Sequence, residues 1–421
     1  MRSSSAVLAF ALLCAPVVSG AQGAASLTLA IEGRSNQNVT LAASGQFVVA
    51  AWSATAPAGT DLYMATSLDG GARFGTPVRV NSTEGEVRGD GEQAPRIALA
   101  RSGRGLPAIT VAWMAKAAEG TRVMWAKSSD GGKTFTPGTI AAGSDGAGSR
   151  GWQSIAADST GRVFALWLDH RNAAAHVMPA AAPGTKRAEM PKRDPMEVAG
   201  MSQLYFGSLD GAMPARGLVS SVCYCCKTSL AIRGSNIYAT WRHVFEGSTR
   251  DIAMAVSTDG GKTFSAPTRV SEDHWQIDGC PDNGPGLSID RTGRVHVTWV
   301  SVLDSKPGAP LALYYANSTD GKTFTPRVRV SGDGAAGHAQ VSSIDDGSVL
   351  VAWDETTANG RRVRLAHGMP DKNGRVAFKN VAAPEDTEGL YPSIATTSDG
   401  SIVAWVRRGA GATTIGVAKL K

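Results

Sequence analysis

The chain has 421 residues, of which 43% are hydrophobic, 19% charged and 6% aromatic, with 49 glycines and 20 prolines. That content is too apolar for a disordered tail and too weakly charged for a coiled coil, and the length exceeds one ordinary core. Lysine and arginine outnumber the acidic residues by only 42 to 36, without any dense basic run, so nucleic acid is not the expected partner.

Arg2 opens the chain and an apolar run from Ala6 to Val18 follows, closed by the small residues Ser19, Gly20, Ala21 and Gly23. This is the layout of a cleaved secretory signal, so residues 1–23 are expected to leave and 24–421 to form one exported domain, periplasmic or extracellular. The run is too short to span a bilayer, and no later segment is long and apolar enough, so no membrane span is expected. Leu13 stands where a lipoprotein signal wants a small residue, which argues against an anchor at Cys14. Loss of Cys14 with the signal leaves Cys223, Cys225, Cys226 and Cys280.

Beyond the signal the chain repeats. Trp52, Trp113, Trp167, Trp241, Trp299, Trp353 and Trp405 each close a short apolar run, at spacings of 61, 54, 74, 58, 54 and 52 residues. Before each lies another short run, such as APRIALA or YPSIATT, joined through a turn such as DSTGR or TSDGS. After each comes a variable loop, a third run such as DIAMAVS, and in most units a fourth such as TPVRV. Four short strands per unit repeated around an axis predict an all-β propeller of four-stranded blades. The tryptophans are expected to fill the space between blades. The seventh unit ends after three strands, and the unpartnered run Ser26 to Ile31 is placed to complete it. Seven closed blades are therefore preferred, with six as the alternative.

The turn between the third and fourth strands reads SLDGGARF from Ser67, SSDGGKTF from Ser128, STDGGKTF from Ser257 and STDGKTF from Ser318, with degenerate copies from Ser208 and around Asp371 to Phe378. These turns resemble the Asp-boxes, or BNR repeats, of sialidases and other exported propellers. The Asp carboxylate can accept backbone N–H bonds inside a tight turn, and the glycines can take positive φ, so the box is read as structure rather than chemistry. Alternating strand directions place these short turns on one rim. The long irregular loops, after each tryptophan and into each inner strand, fall on the other, where function is expected.

That second rim carries Asp169, His170 and Arg171, then His176 and several methionines, in the long loop after Trp167. Cys223, Tyr224, Cys225 and Cys226 lead into the fourth blade, Arg242 and His243 follow Trp241, and His274, Trp275, Asp278 and Cys280 lead into the fifth. Two readings stay open. An even cysteine count in an exported chain suggests disulfides, with Cys280 tying two neighbouring loops together. Thiolate, thioether and imidazole together suggest a soft-metal site of Cys223, Cys225, Cys226, Cys280, His243 and His274, with copper expected and zinc second.

The sialidase resemblance implies a third possibility, hydrolysis of a glycan. An arginine trio would grip a carboxylate, a tyrosine would attack, and a glutamate would activate it. Arg96, Arg171, Arg242, Tyr391 and Glu388 are the matching candidates. The family's early Arg-Ile-Pro motif is absent, the nearest approach being Pro95-Arg96-Ile97 in the reverse order, and family members have six blades. The sequence therefore predicts an exported monomeric propeller binding a metal ion or a glycan, with sialidase-type hydrolysis or a disulfide-stapled platform as alternatives.

Overall fold

The computed structural model describes residues 26–421 apart from 90, 102, 104, 176–194, 278, 280, 303–309, 385–386, 410 and 421. Seven four-stranded antiparallel sheets follow one another around an axis. Six are built from consecutive strands. The seventh combines Gly389–Thr397, Gly400–Arg407 and Thr414–Leu420 with the N-terminal strand Leu27–Leu29 as its outer edge. Leu27 pairs with Val417, Thr28 with Gly416 and Leu29 with Ile415, while Arg407 clasps the hydroxyls of Thr28 and Ser26. The ring is closed by joining the two ends of the chain.

All seven repeated tryptophans lie in the second strand of their blade, and none exposes more than 2% of its surface. The second strands are apolar on both faces because alternate side chains meet different neighbours. In the first blade Val48, Ala50 and Trp52 pack toward blade seven, whereas Phe47, Val49 and Ala51 pack toward blade two. Each blade interface holds one cluster with one of the seven repeated tryptophans buried in it, always contributed by the later blade.

The serine–aspartate turns are self-contained. The Ser67 hydroxyl donates to Asp69 at 2.7 Å, and Asp69 accepts the Arg73 N–H at 2.9 Å. Gly70 and Gly71 adopt φ of 69° and 89°, which lets the backbone wrap the carboxylate. The same serine–aspartate bond recurs at Asp130, Asp210, Asp259 and Asp320. Hydroxyl and N–H donors hold Asp130 and Asp259 well below the ordinary carboxylate range, so these groups are occupied by their own turns.

One local difference from the sequence reading concerns the loop after Trp167. It contains two short helices, α1 (Arg171–Ala175) and α2 (Pro195–Met201), where an irregular loop was expected. His176, Met178 and Met190 lie outside the described residues.

Candidate functional site

Four inner strands carry the same irregularity near their start. The register slips between Gln37 and Thr40, Gly151 and Ser154, Gly337 and Gln340, and Leu390 and Ser393. Inside each slip one residue is left-handed: Asn38, Trp152, His338 and Tyr391, with φ between 51° and 56°. For Trp, His and Tyr this conformation costs on the order of 1–3 kcal/mol and persists only where the surroundings enforce it. The strand pairing assigns the equivalent positions of blades two, four and five to Ala94, Lys227 and Gly284. At Gly284 a side chain would collide with the Lys227 backbone, so blade five supplies only glycine.

These positions surround the mouth of the axis. One pocket is lined by Asn38, Glu92, Arg96, Lys227, His338 and Tyr391, among others from five blades. Glu92 is buried and accepts the Lys227 ammonium at 2.9 Å, the Lys227 N–H at 3.2 Å and the Gly284 N–H at 2.6 Å. Lys227 gives a second bond to the Ala339 carbonyl at 3.0 Å. Arg96 spans the neighbouring strand, donating to the Gln153 carbonyl at 3.0 Å.

Across the mouth, His338 Nδ1 lies 2.7 Å from a carboxylate oxygen of fully buried Asp354. A carboxylate only accepts, so the hydrogen of this bond sits on Nδ1, which fixes the ring's orientation. Asp354 also accepts Arg361 Nε and the Tyr391 N–H, both at 2.8 Å. Burial alone would raise the Asp354 carboxyl, but the bond from His338, the Arg361 charge and the Tyr391 N–H hold it below the ordinary range. The Tyr391 ring stands 4.0 Å from the His338 ring, centroid to centroid. Burial first, and then the Asp282 charge, push the Tyr391 phenol up to about 12.

Asp282 lies within electrostatic reach of Glu92, His338 and Lys227. Burial first, and the Glu92 charge second, push its carboxyl up to about 6. Because the folded value exceeds the ordinary 3.8 of an aspartate, the native state holds a proton that the unfolded chain releases. The associated stability is complete below about pH 4 and is lost as pH rises through about 6. Asp282→Asn is expected to flatten this slope and to stabilise the chain at neutral pH by about 1–2 kcal/mol, after allowance for partial exposure. Melting temperatures of both proteins across that interval test this. An unchanged slope in the variant would refute it.

The glycan candidates of the sequence separate in space. Arg96 and Tyr391 line the axial pocket together. Arg242 is fully buried, and its guanidinium donates to the carbonyls of Asn283, Arg250 and Val300. Arg171 is held by Asp169 and the Gly143 carbonyl, with its guanidinium over Tyr205. Glu388 is exposed and pairs through its backbone with Arg362. Sequence reasoning missed Glu92, Lys227, His338 and Asp354. A signal existed: in six of seven units the mouth residue stands 14 or 15 positions before the repeated tryptophan.

The metal candidates also divide. The sulfurs of Cys223, Cys225 and Cys226 all lie within 4.8 Å of one another and are buried. Cys223 and Cys226 are free thiols. The hydrogen bond from Cys226 pulls the Cys223 thiol down to about 6 against the effect of burial, whereas burial pushes Cys226 up. Met196 of α2 packs against this group. The His243 ring instead accepts the Trp241 indole N–H at 3.3 Å and meets Phe245 edge to face, and His274 is mostly exposed beside Glu272. Cys280 lies outside the described residues.

No family model and no curated protein matches the chain. Solved structures do. The NanB sialidase from Streptococcus pneumoniae superposes with a TM-score of 0.51 at 11% identity, covering 91% of this chain and 85% of that one. A polysaccharide lyase of family PL25, an ulvan lyase, superposes with a TM-score of 0.55 at 10% identity, covering 91% and 93%. The chain thus has the fold of sialidase-like propellers.

Proposed function

We propose that the chain is an exported, monomeric Asp-box propeller whose axial mouth binds an acidic saccharide and transfers protons on it. The observation that carries this reading is the pairing of an oriented imidazole, His338 on Asp354, with a tyrosine ring at 4.0 Å in a mouth that also holds Arg96, Lys227 and Asp282. A uronate seated there would set its carboxylate toward Arg96, Lys227 being already paired with Glu92. His338 Nε2 would remove the proton next to that carboxylate, the electrons would form the ring double bond, and the glycosidic C–O bond would break. Tyr391, kept protonated by its raised pKa, would supply the proton to the leaving oxygen. The lyase neighbour, solved also with a GlcA–Rha3S chain, supports a saccharide at such a fold.

Attack by a tyrosinate fits less well. Burial raises the Tyr391 phenol instead of lowering it, Glu388 is exposed, and Arg171 and Arg242 are engaged elsewhere. Ultraviolet absorbance of unsaturated products from a panel of polyuronates tests the proposal, with a fluorogenic sialoside as comparator. His338→Gln and Tyr391→Phe are each expected to slow elimination about 100-fold or more. Cleavage of the sialoside with no action on any polyuronate would refute it.

With Cys223 and Cys226 free, we further infer that Cys225 and Cys280 are left to pair as the expected inter-loop disulfide. Two reactive thiols per unfolded mature chain is the corresponding result in thiol counting. The soft-metal reading rests on the other two cysteines and is independent of the saccharide.

A further inference from the structure

We propose that Cys223 and Cys226 form a two-thiolate site for a monovalent soft cation, Cu(I) being the biological one. Their sulfurs stand 3.5 Å apart, far beyond the roughly 2 Å of a disulfide and close enough for one ion to touch both. The residues are three apart in the chain, so a single turn sets the spacing. Cys223 is 1% and Cys226 2% exposed, which shields a bound ion from water and oxidant.

The donor set decides the metal. No imidazole or carboxylate joins the sulfur group among the described residues, and Met196, a thioether side chain, packs against it. Zinc in a structural site demands four ligands in a tetrahedron. Cu(I) accepts two or three soft ligands and is favoured by thiolate and thioether together.

Charge points the same way. Arg242 and Arg250 are both buried, and neither makes a salt bridge with a carboxylate among the described residues. Arg250 Nη1 donates to Cys223 Sγ at 3.5 Å, while its Nε and Nη2 have no hydrogen-bond partner. A buried guanidinium without a counter-charge is strongly disfavoured. Loading obeys Cu⁺ + 2 RSH → [Cu(SR)₂]⁻ + 2 H⁺, and the product is an anion beside those orphaned N–H groups. Two thiolates on a divalent ion would be neutral and would leave the cations uncompensated.

A route in is present. Trp152 and Tyr224 pack on the cysteines and also line an open cleft with His170 and α2. His170 Nε2 has no hydrogen-bond partner and can hand an ion inward.

Anaerobic titration of the reduced mature chain with Cu(I), in competition with bicinchoninate, tests the site, read by X-ray absorption at the copper edge. One copper per chain with sulfur-only coordination is expected. Cys223→Ser and Cys226→Ser should abolish it, and Arg250→Gln should weaken it about tenfold, or 1.4 kcal/mol. The wild-type spectrum needs no variant, so it decides the matter even where a substitution impairs folding. Nitrogen or oxygen ligands on the copper, undiminished loading of both serine variants, or preferential retention of Zn(II) would each overturn the proposal.

Discussion

Replacing Glu92 with glutamine is expected to destabilise the chain by about 3–5 kcal/mol, the cost of stranding a buried charge whose partner has been removed. The Lys227 ammonium keeps only the Ala339 carbonyl in that variant, in a position where it is 4% exposed. No solvent can replace the lost carboxylate, and the ion pair is too deep for salt to screen. The double variant Glu92→Gln, Lys227→Met should recover most of the loss, because taking away both charges leaves no uncompensated ion. Glutamine can still accept the Gly284 N–H. Denaturant unfolding of the four proteins in the cycle measures this coupling. Additive effects in the double variant would show that the two charges do not depend on each other.

Deleting residues 24–31 should open the ring. The last blade would keep three strands, and Thr414–Leu420 would become a bare edge. The loss combines the burial of Leu29, about 1.5–3 kcal/mol, with several ladder hydrogen bonds of about 1 kcal/mol each. An unpaired apolar edge also recruits other chains, so the truncated protein is expected to self-associate as well as to melt earlier. Size-exclusion chromatography and thermal melting distinguish these outcomes. A monomeric truncated chain with the parental melting temperature would mean that the closing strand is ornamental.

The sialidase-type arginine trio shows why the candidate site was only partly legible. Arg96, Arg171 and Arg242 have the same chemistry and were all expected on the loop-rich rim, yet one lines the mouth, one is tied to Asp169 and one is consumed by backbone carbonyls. Which partner an arginine finds depends on what the adjoining blade presents, and no local window contains that information. His338 was missed for a related reason. Its spacing from Trp353 marks its position in the repeat, but its role emerges only beside Asp354 and Tyr391. The cysteine group was half readable, since Cys223 and Cys226 sit within one turn, but His243 and His274, expected on the same rim, do not join them.

What the amino-acid order determined unaided is everything periodic: the seven tryptophans, the paired apolar runs, the serine–aspartate turns and the spare N-terminal strand. Those are short-range patterns of side-chain polarity and turn chemistry, and each needs only its own few residues to be satisfied. What tertiary structure alone decided is the mouth, where Glu92 meets Lys227 135 residues later and Gly284 192 residues later. Ring closure brings those positions together because every inner strand must start at the same axis, whatever the length of chain between them.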